Sequence, residues 1–510
     1  MITPAPPLTS DAILAVYAQG PAAVLRLVGQ LQDQLAAQQQ TLADLTTQHQ
    51  LLTAQTATQQ QTLADLTAQL ATLQQRLGRN SGNSHQPPSA DGPGRPPRPT
   101  RRRGGRPGGQ PGHPGHALRF SAQPDRVVVH RPARCRACGQ DLTATPARLL
   151  ERHQVIDLPP LGLETVEHQT VCCTCPACGG ATAGAFPPQA GALLGYGPRL
   201  TALGVYLTGY QLLPYARASE LLTDLFGAGP SPGTLITAAQ RAAAQLAAAE
   251  QVVRGRLQAA AVAHFDETGI NIGGQRAWLH VASTAGLTLY GPHRQRGRGG
   301  MDALGVLPGF GGTAVHDSYA SYRRYGCGHA LCNAHLLREL QAVVEQGGQG
   351  WARQLQRLLG RMKQAAERAR AAGAAGVAAA TVARNRERYQ ELLGLGLARN
   401  PPRTARDRGQ RGRGQQSKAT NLVLRMPEQE AAVLGFLTDL RVPFDNNQAE
   451  RDLRMVKVQQ KIWGCFRNEV GAAAFCRVRG YISTLRKQGA AVLAALEQVF
   501  RGNPVVLCLA

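Results

Sequence analysis

The sequence predicts a multidomain protein of the mixed α/β class, on the strength of three observations. The chain has 510 residues, which is more than one compact core normally holds. A leucine heptad repeat near the N-terminus and an Ala-rich stretch at 337–440 both predict helices. Between them, residues 260–317 contain short alternating apolar segments separated by turns, which are typical of strands.

The charge balance indicates a polyanionic partner. The formal net charge is +24, an excess that favours nucleic acid or an anionic membrane surface. The chain has no run of about 18 apolar residues that would span a bilayer. Its first residues, MITPAPPLTS, lack the features of a signal peptide. We therefore expect a cytoplasmic, nucleoid-associated protein that binds DNA and has no membrane partner.

After an N-terminal segment at 1–23, residues 24–79 are predicted to form a coiled coil. Eleven of fifteen a/d-type positions between Val28 and Leu77 are apolar, at alternating steps of three and four residues. The hexapeptide TLADLT at 41–46 recurs at 62–67 in the same heptad register. This pattern predicts a homo-oligomer, although a single helix folded back on the body of the protein would show it too.

Residues 80–118 are predicted to be a disordered basic linker. Pro, Gly, Ser and Arg dominate, so this segment cannot form a packed core. It is either a solvated linker or a segment that binds DNA phosphates without sequence specificity. The candidate DNA-binding residues here are Arg101, Arg102 and Arg103.

Residues 119–185 are predicted to form a zinc-binding domain. In a reducing compartment, paired cysteines point to metal before disulfides. Four thiolates from two CxxCG knuckles complete the tetrahedral shell of a structural zinc ion. The expected ligands are Cys135, Cys138, Cys175 and Cys178, with Cys172 and Cys173 as nearby alternatives.

Residues 190–258 are predicted to be a helical, possibly DNA-binding, domain. Ser231 is a good helix cap, and Pro232 suits the first helical position. A helix, a Gly-rich turn and a second capped helix form either a helix-turn-helix that reads DNA or an ordinary helical hairpin.

Residues 259–336 are predicted to form the first part of a ribonuclease-H-like core. Three strands, a helix and a fourth strand follow in that order, with Asp266 ending the first strand and Asp317 ending the fourth. In that fold the first and fourth strands lie side by side. Asp266 and Asp317 should therefore meet.

Residues 441–510 are predicted to be the C-terminal part of the catalytic core. A helix starting at Asn447, capped by Asp445 or Asn446, presents Glu450 on the same face as three cations. Three carboxylates suit two Mg²⁺ or Mn²⁺ ions that cleave and join phosphodiesters. The cations are Arg454, Lys457 and Lys461, and the rival acidic residues are Glu267, Glu339, Asp445 and Glu469.

Residues 337–440 are predicted to be a helical insertion between the second and third carboxylates. Its basic stretch at 403–418 is either a loop or a DNA contact. Cys332 and His335, placed in a helix after Asp317, favour packing at the site over a second metal site. Trp463 is more typical of a core aromatic than of a residue that stacks on a flipped base.

At these residues the sequence resembles the insertion-sequence-66 family of bacterial transposases, over nearly the whole chain. The shared motifs are the Asn80–Ser89 segment, GGQPGH ending at His113, the cysteine knuckles, Asp266–Gly269, His316–Tyr319, Cys332–His335 with Arg338, and Asp445–Arg451. Gly82, His85 and Gln86 depart from the usual Ser and Lys in the first motif.

The resemblance implies that Asp266, Asp317 and Glu450 form the catalytic acidic triad and bind magnesium. It also implies inverted-repeat DNA ends as substrate and accessory transposition proteins as partners. His335, Arg338 and Arg451 are further candidate DNA contacts. The alternatives are a catalytically inactive zinc-containing DNA-binding protein and a structure-specific nuclease.

Overall fold

The computed structural model describes residues 9–77, 82–83, 118–159, 161–187, 193–402 and 416–505. The predicted DNA contacts Arg101, Arg102 and Arg103 lie outside the described residues, as does most of the basic stretch at 403–418. No helix in the described ranges combines the length and apolar character needed to cross a bilayer.

The chain separates into two compact units, the first of which comprises residues 1–81 and 86–90. Here Thr9 caps α1 (Ser10–Tyr17), and α2 is one continuous helix over Pro21–Leu77. The predicted long helix is therefore present. Its heptad leucines, such as Leu42 and Leu63, are exposed within this single chain, and their pairing in a coiled coil stays a prediction.

The second unit comprises residues 82–85 and 91–510. The part predicted to bind zinc contains one short antiparallel pair, β1 (Cys172–Thr174) with β2 (Ala181–Ala183). A helical region follows with α3 (Pro198–Val205), a π-helical turn (Tyr206–Tyr210), α4 (Tyr215–Phe226), α5 (Pro232–Gln245) and α6 (Ala247–Gln258).

A five-stranded mixed sheet forms the centre of the second unit. Its order is β5-β4-β3-β6-β7, with β3, β4 and β5 antiparallel and β6 and β7 parallel to β3. The predicted contact between the first and fourth strands of this region is thus confirmed. The elements are β3 (Val262–Ile272), β4 (Gln275–Ser283), β5 (Thr288–His293), α7 (Arg298–Leu304), β6 (Thr313–His316) and β7 (Gly328–Leu331).

The sequence placed Asp266 at the end of the first strand, and this was wrong. The strand continues to Ile272 because Gly273 and Gly274 both adopt positive φ and turn the chain tightly into β4. Asp266 therefore lies in the middle of β3, where Val281 is its partner on β4. The fifth strand, β7, was not predicted at all.

Along the chain between β7 and Asn447, the described residues, which omit 403–415, form five helices. They are α8 (Asn333–Gly347), α9 (Gly350–Ala371), α10 (Ala379–Arg399), α11 (Lys418–Glu428) and α12 (Glu430–Thr438). Their apolar faces share one cluster around Leu355, Tyr389 and Phe436, and α12 packs against β7. The insertion therefore extends the core from the β7 side of the sheet.

Three C-terminal helices complete the core: α13 (Asn447–Trp463), α14 (Glu469–Lys487) and α15 (Val492–Phe500). Ala449, Leu453 and Val456 of α13 pack against Ile270 and Val281 of the sheet. The α14 helix packs on β5, and its other apolar residues join the cluster formed by α3, α5 and α15. The helical region and the sheet are thereby joined through α14.

Candidate functional site

Asp266 lies on the face of the sheet that α13 covers. Its Oδ1 accepts a hydrogen bond of 2.8 Å from the backbone N–H of Glu267. Burial raises the pKa of Asp266 well above its usual range, and the charges of Glu267, Asp317 and Glu450 raise it further. The charges of Asp317 and Glu450 therefore act on Asp266, and their joint binding of a metal ion stays a prediction.

Asp317 follows directly after β6. Because β6 pairs in parallel with the start of β3, the chain leaves the sheet beside Asp266. The Oδ1 of Asp317 accepts a hydrogen bond of 2.8 Å from the backbone N–H of Tyr319, which fixes the carboxylate in a tight turn. The predicted meeting of the first and fourth strands accounts for this placement.

Glu450 lies in the first turn of α13. Its Oε1 is 3.1 Å from Nε2 of His335 and 3.6 Å from Nη2 of Arg338, both on α8. The hydrogen bond from His335 lowers the pKa of Glu450, and the charges of Arg338 and Arg454 lower it further, against a contribution from burial. Glu450 is therefore held as a carboxylate.

Asn446 fixes the start of α13 against the sheet, a role that sequence reasoning missed. Its side-chain amide donates a hydrogen bond of 2.8 Å to the carbonyl oxygen of Phe265, and its Oδ1 lies 2.8 Å from Nδ1 of His264. The capping hydrogen bond instead comes from Asp445, whose Oδ1 accepts from the Asn447 N–H at 3.2 Å. Of the two predicted caps, Asp445 makes the capping bond, and Asn446 joins two elements.

Glu267 points to the opposite face of the sheet from Asp266, as strand alternation predicts. There its carboxylate accepts hydrogen bonds from the Tyr322 hydroxyl at 2.5 Å and from Nε of Arg296 at 2.9 Å. Its side chain is only 1% exposed. Burial and the charge of Asp317 raise its pKa. Glu267 therefore anchors β3 to Tyr322 and Arg296 on the face of the sheet opposite Asp266.

The three carboxylates are of the ligand type that a divalent cation needs, but among the described residues their oxygen atoms do not all lie within 4.8 Å of one another. Hard oxygen ligands are those that Mg²⁺ and Mn²⁺ prefer. Burial raises the pKa of Asp266, and the charges of Glu267, Asp317 and Glu450 raise it further. A cation among these groups would offset that repulsion.

A second group of potential metal ligands overlaps this site. The ligand atoms of Cys332, His335 and Glu450 lie within 4.8 Å of one another. However, Cys332 is buried at the N-cap of α8, just before the helix where the sequence placed it, and its Sγ accepts a hydrogen bond from the Asn446 N–H. Burial raises its pKa to about 11. A bound cation would itself favour the thiolate, so Cys332, His335 and Glu450 could together hold a metal ion.

The two cysteine knuckles have matching backbone geometry. The N–H of Cys135 donates to the Gln140 carbonyl, and that of Cys175 donates to the Gly180 carbonyl, each at 2.8 Å. Backbone N–H groups lower the pKa of each leading thiol, as a thiolate ligand requires. Among the described residues, no three of the four predicted thiols lie within ligand distance of one another, so the joint zinc site stays a prediction.

The cations predicted on α13 form its exposed face, but their contact with DNA stays a prediction. The Lys457 ammonium donates a hydrogen bond of 2.8 Å to the Gly269 carbonyl on β3. A guanidinium nitrogen of Arg451 donates to Gln448 at 2.9 Å. The exposed cations on this helix are Arg451, Arg454, Lys457 and Lys461.

The predicted helical pair is present, and Trp463 is a packing residue. Gly227 ends α4 with a φ of +77°, and the Ser231 hydroxyl caps α5 by accepting the Thr234 N–H at 3.2 Å. Whether this pair reads DNA stays a prediction. The half-buried Trp463 donates its indole N–H to the Leu212 carbonyl at 2.8 Å, and its ring packs against Tyr215, so a packing role is supported.

The mixed sheet and the helices packed around it define a protein of the mixed α/β class. A family model described as Transposase IS66 family matches residues 194–474, more than half of the chain. The chain belongs to this family, as its motifs predicted. A second model, for a family of unknown function (DUF6444), matches residues 29–119. No curated protein matches the chain in sequence.

Proposed function

We propose that this transposase cleaves the inverted-repeat ends of its insertion sequence and joins them to target DNA, using Asp266, Asp317 and Glu450. The single observation that carries the proposal is the parallel pairing of β3 with β6, which brings Asp317 level with the buried Asp266. Three acidic groups from distant parts of the chain share one site. Such a group is costly unless it binds cations.

The sheet order supports a ribonuclease-H-like core. Three antiparallel strands are followed by two parallel strands that extend the sheet beyond the first. In this arrangement Asp266 lies on the central strand, Asp317 follows its parallel neighbour, and α13 carries Glu450 over the same face.

Each of these residues would have its own role in the reaction. Bound Mg²⁺ or Mn²⁺ would activate the attacking oxygen and stabilise the leaving one. Asp266, held between the strands, and Asp317, fixed by the Tyr319 N–H, would hold these ions in a set position. Glu450 would complete the ligands, while Arg338 beside it would neutralise a phosphate oxygen.

The other modules would serve DNA handling and assembly. The two knuckles would hold a structural zinc ion, and the α4–α5 pair and the cations of α13 would grip DNA. Self-association of α2 would bring two DNA ends together, because its exposed leucines can pair with those of a second copy. The function places the chain in the cytoplasm, at the nucleoid, with accessory transposition proteins as further partners.

A strand-transfer assay tests the proposal. The full chain is incubated with Mg²⁺, a target plasmid and labelled DNA from the flanks of its own gene, where matched inverted repeats identify the ends. Transferred product that disappears in the Asp317→Asn variant supports the proposal. Binding without cleavage would indicate the inactive DNA-binding protein, and cleavage without joining would indicate the nuclease.

A further inference from the structure

A pile of aromatic rings and guanidinium groups lies on the sheet face opposite α13. It begins at Tyr319, where the Arg296 guanidinium stands 4.3 Å from the ring centroid. The same guanidinium is 4.9 Å from the Trp278 ring, and the Arg276 guanidinium is 4.8 Å from that ring. Arg296 therefore lies close to both the Tyr319 and the Trp278 rings, and Arg276 lies close to the Trp278 ring.

The inner end of this pile is tied to the acidic site. Arg296 is held by Glu267, the neighbour of Asp266 in sequence. The backbone N–H of Tyr319 donates to the carboxylate of Asp317. These bonds fix the first two layers of the pile, so the pile has a defined position relative to the proposed scissile phosphate.

The outer end of the pile is open. Arg276 is exposed, and its guanidinium lies over Gly269 of β3, about an ordinary contact distance (3.9 Å) from where a Cβ would stand. The Lys457 ammonium donates to the carbonyl of the same glycine at 2.8 Å. The side chains of Arg276 and Lys457 therefore both reach Gly269 of β3.

We propose that this pile is a stacking platform for an unpaired DNA base, on the face of the sheet opposite the one that carries Asp266. Bases released from a duplex stack on aromatic rings and guanidinium planes. Arg276 would present its plane to the base, while Lys457 and Arg296 would neutralise the adjoining phosphates. Paired bases keep their faces covered, so the platform favours unpaired DNA over duplex DNA. The inference rests on the proposed function in that it takes DNA as the substrate.

Binding of the full chain to two matched DNA probes tests the platform. One probe is a blunt duplex, and the other carries a single-stranded tail with a fluorescent purine analogue whose emission falls when it stacks. The Arg276→Lys variant keeps the charge and loses the plane. We expect it to bind the tailed probe about 10-fold more weakly, without the fluorescence loss, and to bind the blunt duplex as the wild type does.

The matched control is Arg357→Ala, which removes an exposed cation from α9. It should keep both the preference for the tailed probe and the fluorescence loss. If Arg276→Lys also keeps them, or if the wild type shows no preference for the tail, the platform does not exist.

A further variant separates this inference from the proposed catalytic role. Glu450→Gln should abolish cleavage and leave the fluorescence loss intact. If Glu450→Gln still cleaves DNA, the proposed triad is wrong, while the response of Arg276→Lys still decides the platform by itself.

Discussion

The Asn446 side chain donates a hydrogen bond of 2.8 Å to the carbonyl oxygen of Phe265, 181 residues earlier in the chain. Phe265 precedes Asp266, and Asn446 precedes the helix whose first turn holds Glu450. One buried amide therefore sets the distance between two of the three carboxylates. It does so without providing a metal ligand of its own.

We expect Asn446→Ala to lower the cleavage rate about 100-fold, because a small displacement of a catalytic group has effects of that size. The Mg²⁺ concentration needed for half-maximal activity should rise at the same time. Metal titrations of the cleavage rate measure both quantities. Asn421→Ala removes an exposed amide from α11 and should change neither. A variant that lost activity but kept its metal requirement would argue against this positioning role.

Asp266→Asn should increase the stability of the metal-free protein and decrease its cleavage rate. Because burial and three neighbouring acidic groups disfavour the Asp266 carboxylate, the neutral amide should raise the Tm in the absence of metal. Cleavage should fall about 1000-fold or more.

Mn²⁺ or Mg²⁺ should raise the Tm of the wild type but not that of Asp266→Asn. Binding stabilises the folded state by about 2.7 kcal/mol when the metal concentration is about 100 times the Kd. Thermal melts with and without metal measure this difference. An equal metal response in both proteins would place the cation elsewhere.

Acidification should destabilise the protein below about pH 6.5, the ordinary pKa of histidine. Burial lowers the pKa of His280 and His316 to about 4, so both are neutral in the folded state while the unfolded chain binds protons. The contribution of these two histidines to stability is therefore complete at neutral pH and is lost as the pH drops from about 6.5 towards 4, by at most about 3 kcal/mol for each histidine.

Denaturant unfolding across this range measures the loss for the wild type and for His280→Gln. The glutamine amide can still donate to the Gln295 carbonyl that His280 contacts at 3.1 Å. The variant should lose part of the acid sensitivity. An unchanged pH profile would show that His280 does not contribute.

Purified protein should contain about one zinc ion per chain, held by four thiolates. Cys138→Ser and Cys178→Ser should each lose the metal, as measured by mass spectrometry of the native protein. Cys172→Ser and Cys173→Ser are the matched controls and should retain it. Loss of zinc from a control would move that cysteine into the ligand set.

The sequence was most informative where local patterns dictate structure. Alternation predicted the strands that carry Asp266 and precede Asp317, and a capping pattern placed the start of α13 at Asn447. The heptad repeat predicted α2 to within three residues at either end, Pro21 against 24 and Leu77 against 79. These features depend on neighbours close in the chain.

What the sequence did not reveal depends on contacts between distant segments. Asn446 was read as a cap because its partner Phe265 could not be identified from spacing. Glu267 was rightly directed away from Asp266, but its partners Tyr322 and Arg296 lie on segments that only the folded sheet brings together. The short strand β7 is too brief to give a clear alternation signal.

The late position of α13 and α14 has a consequence for shortened copies of the gene. Both helices cover apolar faces of the sheet and of the helical region. A premature stop codon upstream of them would thus remove two helices that cover the hydrophobic core, together with Glu450. The nascent product would expose Ile270 and Val281 to solvent, which invites aggregation and proteolysis. Such truncated proteins should be degraded in the cell, so they should not compete with the full-length protein for the same DNA.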